Sequence, residues 1–177
     1  GAGATVYFGI FDQMILGEKP LFAFSTRNRR PPLDPVNALL SFAYSLLTHD
    51  CTSALESVGL DAYVGFLHRD RPGRTSLALD LMEELRPCLA DRFVLTLINN
   101  RIVGRDEFEF RENGAVYLTD SGRKACLSHW QERKKAELKH PYLGEKIPWG
   151  LVPYVQALLM ARTLRDDLEG YPPFLWK

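Results

Sequence analysis

Net charge is the first thing missing. The 22 basic residues are balanced by 22 acidic ones, so no overall field draws the chain toward nucleic acid, and any such role must come from local clusters. Cysteine is scarce. Cys51, Cys88 and Cys126 lie far apart and no C-x-x-C occurs, which argues against a disulfide framework and a structural zinc site and suits a reducing cytoplasm. No apolar run approaches the roughly 20 residues of a membrane span. No signal-peptide pattern opens the sequence, so a cytoplasmic location without a membrane partner is expected. G-x-S-x-G, P-loop and G-x-G-x-x-G motifs are absent, which removes the serine-hydrolase elbow and the common nucleotide cradles. No serine–histidine pattern gives Ser41, Ser45 or Ser121 a nucleophile's role, and internal repeats and low-complexity segments are lacking.

What is present is a chain of 177 residues, which fits one domain of ordinary size or one large domain with a small appendage, and its 46% hydrophobic content is enough for a real core. The expected fold is mainly α, a multi-helix domain over residues 1–177 with one small β-hairpin near 108–118. Val6, Ile10 and Met14, with Tyr7 and Phe11 beside them, give helical spacing over residues 4–16, and Gly17 ends it. Residues 18–33 form a Pro- and Arg-rich loop with Arg27, Arg29 and Arg30 together. Such a run is more often a solvated linker than a phosphate-contacting loop. Asp34-Pro35 supplies an N-cap and an N1 residue for a buried helix rich in Leu and Phe. A short separate helix over 50–57 ends at Gly59.

Further on, Pro87 disfavours straight continuation, and a helix over about 88–99 carries Leu89, Phe93, Leu97 and Ile98. Residues 106–118 alternate apolar and polar around Asn113-Gly114, which favours a two-residue hairpin turn. Thr119 or Asp120 caps a long helix over about 120–139 whose charged second half reads as solvated. The final helix starts near Pro148 and stops at Gly170. The aromatic tail, residues 171–177, either packs back or binds a partner.

The chemistry concentrates in residues 59–87, GLDAYVGFLHRDRPGRTSLALDLMEELRP. At about 100° per residue, Leu77, Leu81 and Leu85 share one helix face, while Asp80, Glu83 and Glu84 fall together on the opposite arc. Gly65 allows a tight turn that delivers His68 beside this acidic helix. Arg69, Arg71 and Arg74 crowd the intervening loop. A lone histidine is more often structural than a ligand, and helix carboxylates are more often surface charges. A histidine and two carboxylates within sixteen residues can nevertheless converge, and a basic surround suits metal-bridged phosphate. The reading is a magnesium or manganese site handling phosphates, with His68, Asp80 and Glu83 as catalytic candidates. His49, His129 and His140 read as isolated, solvated side chains.

The segment containing G-F-L-H and D-L-M-E resembles the signature of the CRISPR-associated spacer-acquisition integrase, the first of the universal adaptation proteins. The upstream DPVNALLSFAYSLL matches that family's buried helix, and the ending HPYLGEKIPWGLVPYVQALLMARTLRDDLEGYPPFLWK is similar to the C-terminus of its type I-C branch. The resemblance runs from about Tyr7 to Lys177. It implies an all-helical catalytic domain, preceded in the family by a β domain. It also implies a divalent-metal site of a glutamate, a histidine and an acidic residue. The histidine matches His68 and the acidic ligand matches Glu83, with Asp80 a companion. The family glutamate would fall immediately before Gly1.

The activity implied is metal-dependent cleavage of DNA, and integration in which a 3′-hydroxyl attacks a repeat phosphodiester. The partners implied are spacer-precursor and repeat DNA, a second copy of the protein, and a small ferredoxin-like adaptation protein. Arg27, Arg29, Arg30, Arg69, Arg71 and Arg74 would hold phosphates. Two other readings stand beside this one: a helical DNA- or protein-binding module without chemistry, and an unrelated metal-dependent phosphodiesterase.

Overall fold

Asp34 caps its helix as its position demands. The carboxylate accepts the backbone N–H of Asn37 at 2.8 Å, and Pro35 occupies the first helical position, where no N–H is needed. The helix it starts, α2 (Pro35–Ser57), runs for 23 residues. The expected break before residue 50 is absent because His49-Asp50-Cys51 contains neither Gly nor Pro, and Gly59, with φ +79°, provides the stop instead.

The computed structural model describes residues 2–68 and 71–176, apart from the side chains of Ala2 and Ala4. Its helices are α1 (Ala2–Phe11), α2, α3 (Ser76–Leu85), α4 (Arg92–Asn99), α5 (Asp120–Lys135) and α6 (Val152–Leu164). The fold is mainly α, as expected. Two small antiparallel hairpins accompany the helices, β1 (Phe108–Phe110) with β2 (Val116–Leu118), and β3 (Glu137–Lys139) with β4 (Lys146–Pro148).

Several boundaries differ from expectation. The first helix stops at Phe11 and passes into a 3₁₀ turn, Asp12–Met14. The first hairpin closes through three residues rather than two: Arg111 donates to the Ala115 carbonyl, Gly114 N–H returns to Arg111 O, and Gly114 has φ +81°. That is a type I turn with a left-handed glycine, the next commonest hairpin loop. The second hairpin has no counterpart among the expected elements. Its Glu137–Lys139 strand carries the end of a charged run that helical spacing fits equally well, and only pairing with Lys146–Pro148 makes it a strand. Helix α5 therefore stops at Lys135; Thr119 caps it, its hydroxyl accepting Gly122 N–H at 3.1 Å. Pro87 does not break the helical run. A π-helical segment, Arg86–Asp91, joins α3 to α4, a wider winding that accommodates a residue with no N–H to donate.

The residues divide into two compact units, Gly1–Ala43 with Asp91–Gln131, and Tyr44–Ala90 with Glu132–Lys177. In the first, aromatic rings dominate. Phe11 meets Phe24 with centroids 5.3 Å apart, Phe22 meets Phe108 at 6.0 Å, and Phe93 meets Trp130 at 5.0 Å. Gly17 lies so close to Ile98 that a Cβ there would sit 2.7 Å from its side chain. Asn99 latches the adjoining chain, accepting Leu16 N–H at 2.8 Å and donating to Met14 O at 3.1 Å.

The second unit is built on leucines. Leu77, Leu81 and Leu85 of α3 are buried, as the helical spacing predicts, along with Leu47, Leu55, Leu89 and Val152. Its charged surface includes the Glu132–Lys135 pair at 2.6 Å, and Lys134 reaches Asp50 at 3.2 Å. Cys51 and Cys126 are buried free thiols. Burial pushes both thiols up, that of Cys126 to about 12, which leaves neither as a thiolate nucleophile at neutral pH. No helix among the described residues is long and apolar enough to cross a membrane.

Candidate active site

The loop that carries His68 is held by α3 itself. Helix α3 begins after Thr75 without a side-chain cap, although Thr75 and Ser76 both have capping chemistry. The Ala62 carbonyl takes that place, accepting Leu77 N–H at 2.9 Å and satisfying one of the amides that any helix start leaves free. The loop then passes directly over the helix start. A Cβ on Gly65 would lie 2.6 Å from the Ser76 Cβ and 2.8 Å from the His68 carbonyl. Only glycine allows that approach, as the expected tight turn requires.

Asp80 completes the attachment. One carboxylate oxygen accepts the N–H groups of Phe66 and Leu67 at 2.6 and 2.9 Å, and the other accepts His68 N–H at 3.0 Å. The Nδ1 of His68 lies 2.5 Å from the same second oxygen. Burial alone would raise the Asp80 carboxyl. The bonds from the His68 ring and from three amides outweigh it and hold the group below the ordinary carboxylate range. Asp80 is thus an acceptor with its oxygens already committed, and it fixes the imidazole. With Nδ1–H bound to a carboxylate, Nε2 is the ring nitrogen left for a ligand or a proton, the arrangement that supports metal-bound and catalytic histidines. The His68 side chain is 26% exposed and Asp80 only 6%.

The three carboxylates of α3 do not converge. Asp80 turns to the His68 loop. Glu83, with 36% of its side chain exposed, forms a two-point pair with Arg86, at 3.1 and 3.0 Å. Glu84 accepts Tyr171 O–H at 2.5 Å, Phe174 N–H at 2.6 Å and the Gln156 amide at 3.1 Å. The single acidic arc of the helical wheel is correct in angle, but each residue meets a different neighbour. Among the described residues, no three His, Cys, Asp or Glu side chains are grouped so as to hold a metal ion. Among the described residues of α3 and its loop, His68 Nε2 and the solvent-facing Glu83 carboxylate are donors that suit a hard divalent cation.

The arginines separate by environment. Arg27 points inward, bonding Asn28 O, Asn37 Oδ1 at 2.7 Å and Ser41 Oγ at 3.0 Å. Buried Asn37 is the hub of this loop, also donating to Thr26 O at 2.8 Å and accepting Asn28 N–H at 3.0 Å. Arg29, Arg30 and Arg71 are exposed and Arg74 half-buried. Arg69 lies outside the described residues. Arg27 to Arg30 belong to the first unit, Arg71 and Arg74 to the second.

His140 corrects an expectation. It is 1% exposed rather than solvated, its Nε2 3.0 Å from Gln156 Oε1 and its Nδ1 accepting the N–H groups of Tyr142 and Leu143 at 3.3 and 3.2 Å. Burial lowers its pKa against the raising effect of Gln156. Sequence reasoning missed this group together with Glu84, Gln156 and Tyr171. No local pattern signals them, since Glu84 and Tyr171 are 87 residues apart.

Comparison with known proteins bears on what this arrangement does. The profile of the family described as CRISPR associated protein Cas1 matches residues 1–132. A CRISPR-associated endonuclease Cas1 of Rhodospirillum rubrum is 63% identical over 177 residues, which is all of this chain and 52% of that protein. The chain thus spans about half the length of that relative. Among solved structures, a casposase bound to its integration product superposes with a TM-score of 0.86 at 29% identity, covering 98% of this chain and 49% of that one. The chain is also similar to part of a Cas6-RT-Cas1–Cas2 complex, with a TM-score of 0.76, 27% identity, and 97% and 49% coverage.

Proposed function

The chain belongs to the Cas1 family of CRISPR-associated proteins, and from that premise we propose that it forms the helical catalytic part of a divalent-metal-dependent DNA endonuclease and integrase. The activity proposed is insertion of new spacers into a CRISPR array, in the cytoplasm, as a step of antiviral adaptive immunity. The observation that carries this reading is the His68–Asp80 contact, which orients one imidazole and leaves its Nε2 available. The endonuclease name of the Rhodospirillum relative and the integration product bound by the casposase support it.

His68 and Glu83 would hold a magnesium or manganese ion, which supplies charge neutralisation at a phosphodiester when bound. Asp80 keeps the His68 ring in one tautomer and orientation. Arg71 and Arg74, on the same loop as His68, offer guanidinium groups to flanking phosphates. Arg29 and Arg30 add exposed charge on the first unit. In the integration step a 3′-hydroxyl oxygen of the incoming strand bonds to phosphorus of the repeat. The existing P–O3′ bond breaks, the attacking hydroxyl gives up its proton, and the released 3′-oxygen takes one up. In hydrolysis water replaces the attacking hydroxyl. A second copy of the protein and a small ferredoxin-like partner are the proposed assembly, supported by the likeness to a chain in a complex that includes Cas2.

The test uses a protein of the relatives' full length with manganese and branched or nicked DNA substrates. His68→Ala and Glu83→Ala are each expected to lower nicking and strand transfer at least 100-fold. Glu83→Ala also breaks the two-point Glu83–Arg86 pair, worth on the order of 1 kcal/mol, so it should lower the melting temperature by only a few degrees. Equal activity in His68→Ala would remove its assigned role. The Arg86 pairing of Glu83 favours a second reading, a DNA-binding module without chemistry. That reading predicts salt-sensitive DNA binding unaffected by Glu83→Ala and no manganese-dependent product.

A further inference from the structure

Glu84 stands one residue beyond Glu83 and one helical turn beyond Asp80, yet it faces neither. Its carboxylate collects three donors from the C-terminal region: Tyr171 O–H, Phe174 N–H and the Gln156 amide. The fully buried Gln156 extends the connection. Its amide also reaches Tyr171 Oη at 2.7 Å and the Pro172 carbonyl at 3.2 Å, while its carbonyl oxygen meets His140 Nε2 at 3.0 Å. Aromatic contacts then fasten the tail. Phe174 packs edge-on to His140 at 5.4 Å and lies 5.9 Å from Trp149, whose ring also meets Trp176 at 5.2 Å. All these residues belong to one compact unit, the one that carries His68.

An aromatic tail can be seated by apolar contacts alone. Converging three donors on a carboxylate does something more, because charge-assisted bonds fix direction as well as distance. The carboxylate belongs to the helical turn that presents the candidate site. Residues four apart share a helix face, so rotation of Glu84 about the α3 axis carries Asp80 and Glu83 with it. Functional constellations need about 0.5 Å and 10–20° of precision, and a helix held only by leucines can slide and rotate by that much. The π-helical segment that follows at Arg86 makes the end of α3 the place where such a constraint is needed.

We propose that Glu84 is a positioning residue for the candidate site, with Tyr171, Gln156 and the Phe174 amide as the strap that sets the rotation of α3 and thereby the placement of Asp80 and Glu83. The inference rests on the metal-dependent reading given above and makes the C-terminal tail part of the catalytic apparatus.

The experiment compares Tyr171→Phe and Glu84→Gln with His68→Ala in the full-length protein. Four quantities are measured: manganese affinity by electron paramagnetic resonance of the free ion, kcat and KM for strand transfer, and melting temperature. Tyr171→Phe keeps the ring and deletes one bond to Glu84, so it remains informative if Glu84→Gln fails to fold. The expected result is a manganese Kd raised about 10-fold or more and kcat lowered by a similar factor, the range typical of removing a group that orients a ligand. KM for DNA should stay near the wild-type value, since the donors that Glu84 accepts come from the tail and α6. Leu55→Ala, a buried leucine of α2 in the same unit that has no part in the strap, should lower the melting temperature and leave manganese Kd unchanged. A Tyr171→Phe protein that is folded, has a lower melting temperature and keeps wild-type manganese Kd and kcat overturns the inference and leaves Glu84 a tail anchor only. If His68→Ala retains manganese binding and activity, the underlying reading fails instead, so the two failures are distinguishable.

Discussion

The Nδ1 of His68 lies 2.5 Å from Oδ1 of Asp80, across a twelve-residue separation that includes the whole basic loop. That carboxylate also binds the three backbone amides of Phe66, Leu67 and His68. One side chain therefore sets both the path of the loop and the orientation of the ring.

Replacing Asp80 separates those two tasks. Asp80→Ala leaves three amides of the loop without their charged acceptor, and each such hydrogen bond contributes about 1.5–3 kcal/mol. A drop in melting temperature of several degrees is expected, together with a loss of the proposed DNA-processing activity of about 10- to 100-fold or more. Asp80→Asn keeps an acceptor oxygen for part of the loop. It should be the more stable of the two variants while still losing activity, because its amide group can no longer hold the His68 Nδ1 proton as a carboxylate does. Thermal unfolding and strand-transfer rates measured on the same preparations check this.

Arginine substitutions should divide by environment. Removing any one of the guanidinium groups proposed to bind phosphate, those of Arg29, Arg30, Arg71 and Arg74, is expected to make the slope of log K against log salt shallower by about 0.9. Arg27→Ala should leave that slope unchanged. It should lower stability instead, since its guanidinium bonds Asn37 and Ser41 within its own unit. DNA-binding titrations at several salt concentrations, paired with melting curves, separate the two outcomes.

His140 gives a pH dependence whose sign is set by burial. Its folded pKa is depressed below the unfolded value of 6.5, so between those values the unfolded chain binds the proton first. Above pH 6.5 both states are neutral and the contribution to stability is fully present. Stability is lost as pH falls below 6.5 and on through the folded pKa. Protonation would also set an Nδ1–H against the Tyr142 and Leu143 amides that Nδ1 now accepts. Urea midpoints measured from pH 8 to pH 5 should fall more steeply for the native protein than for His140→Asn, and parallel curves would contradict this account.

Gly122 sits where α5 meets the turn before β1. A Cβ there would lie 2.4 Å from the Glu107 backbone carbonyl, an atom with little freedom to move. Gly122→Ala should destabilise by about 1–3 kcal/mol, the usual cost of overpacking, despite the better helix propensity of alanine. Gly9→Ala, with open space around it, should be neutral or stabilising. Denaturant unfolding of the two variants provides the comparison.

Much of this was legible in the residues themselves. Asp34-Pro35 starts α2, the Leu77, Leu81 and Leu85 stripe is the buried face of α3, and Gly65 makes the turn that brings His68 to Asp80. These are local effects: an N-cap bond three residues away, a 100° repeat, a missing Cβ. The second hairpin and the length of α2 were less legible, because strand pairing and helix continuation depend on neighbours that a window of residues does not contain.

The amino-acid sequence by itself determined the class of fold, the helix that carries the carboxylates, and which imidazole stands beside them, because these follow from periodicity and short-range hydrogen bonding. Only the tertiary structure decided where each carboxylate goes. Asp80, Glu83 and Glu84 are equivalent on a helical wheel, yet one holds a loop, one pairs with Arg86, and one is bound by a tail 87 residues away. The physical reason is that a carboxylate's role is set by the donors that desolvation and packing bring to it. For Glu84 those donors come from segments that meet α3 only when the chain is folded.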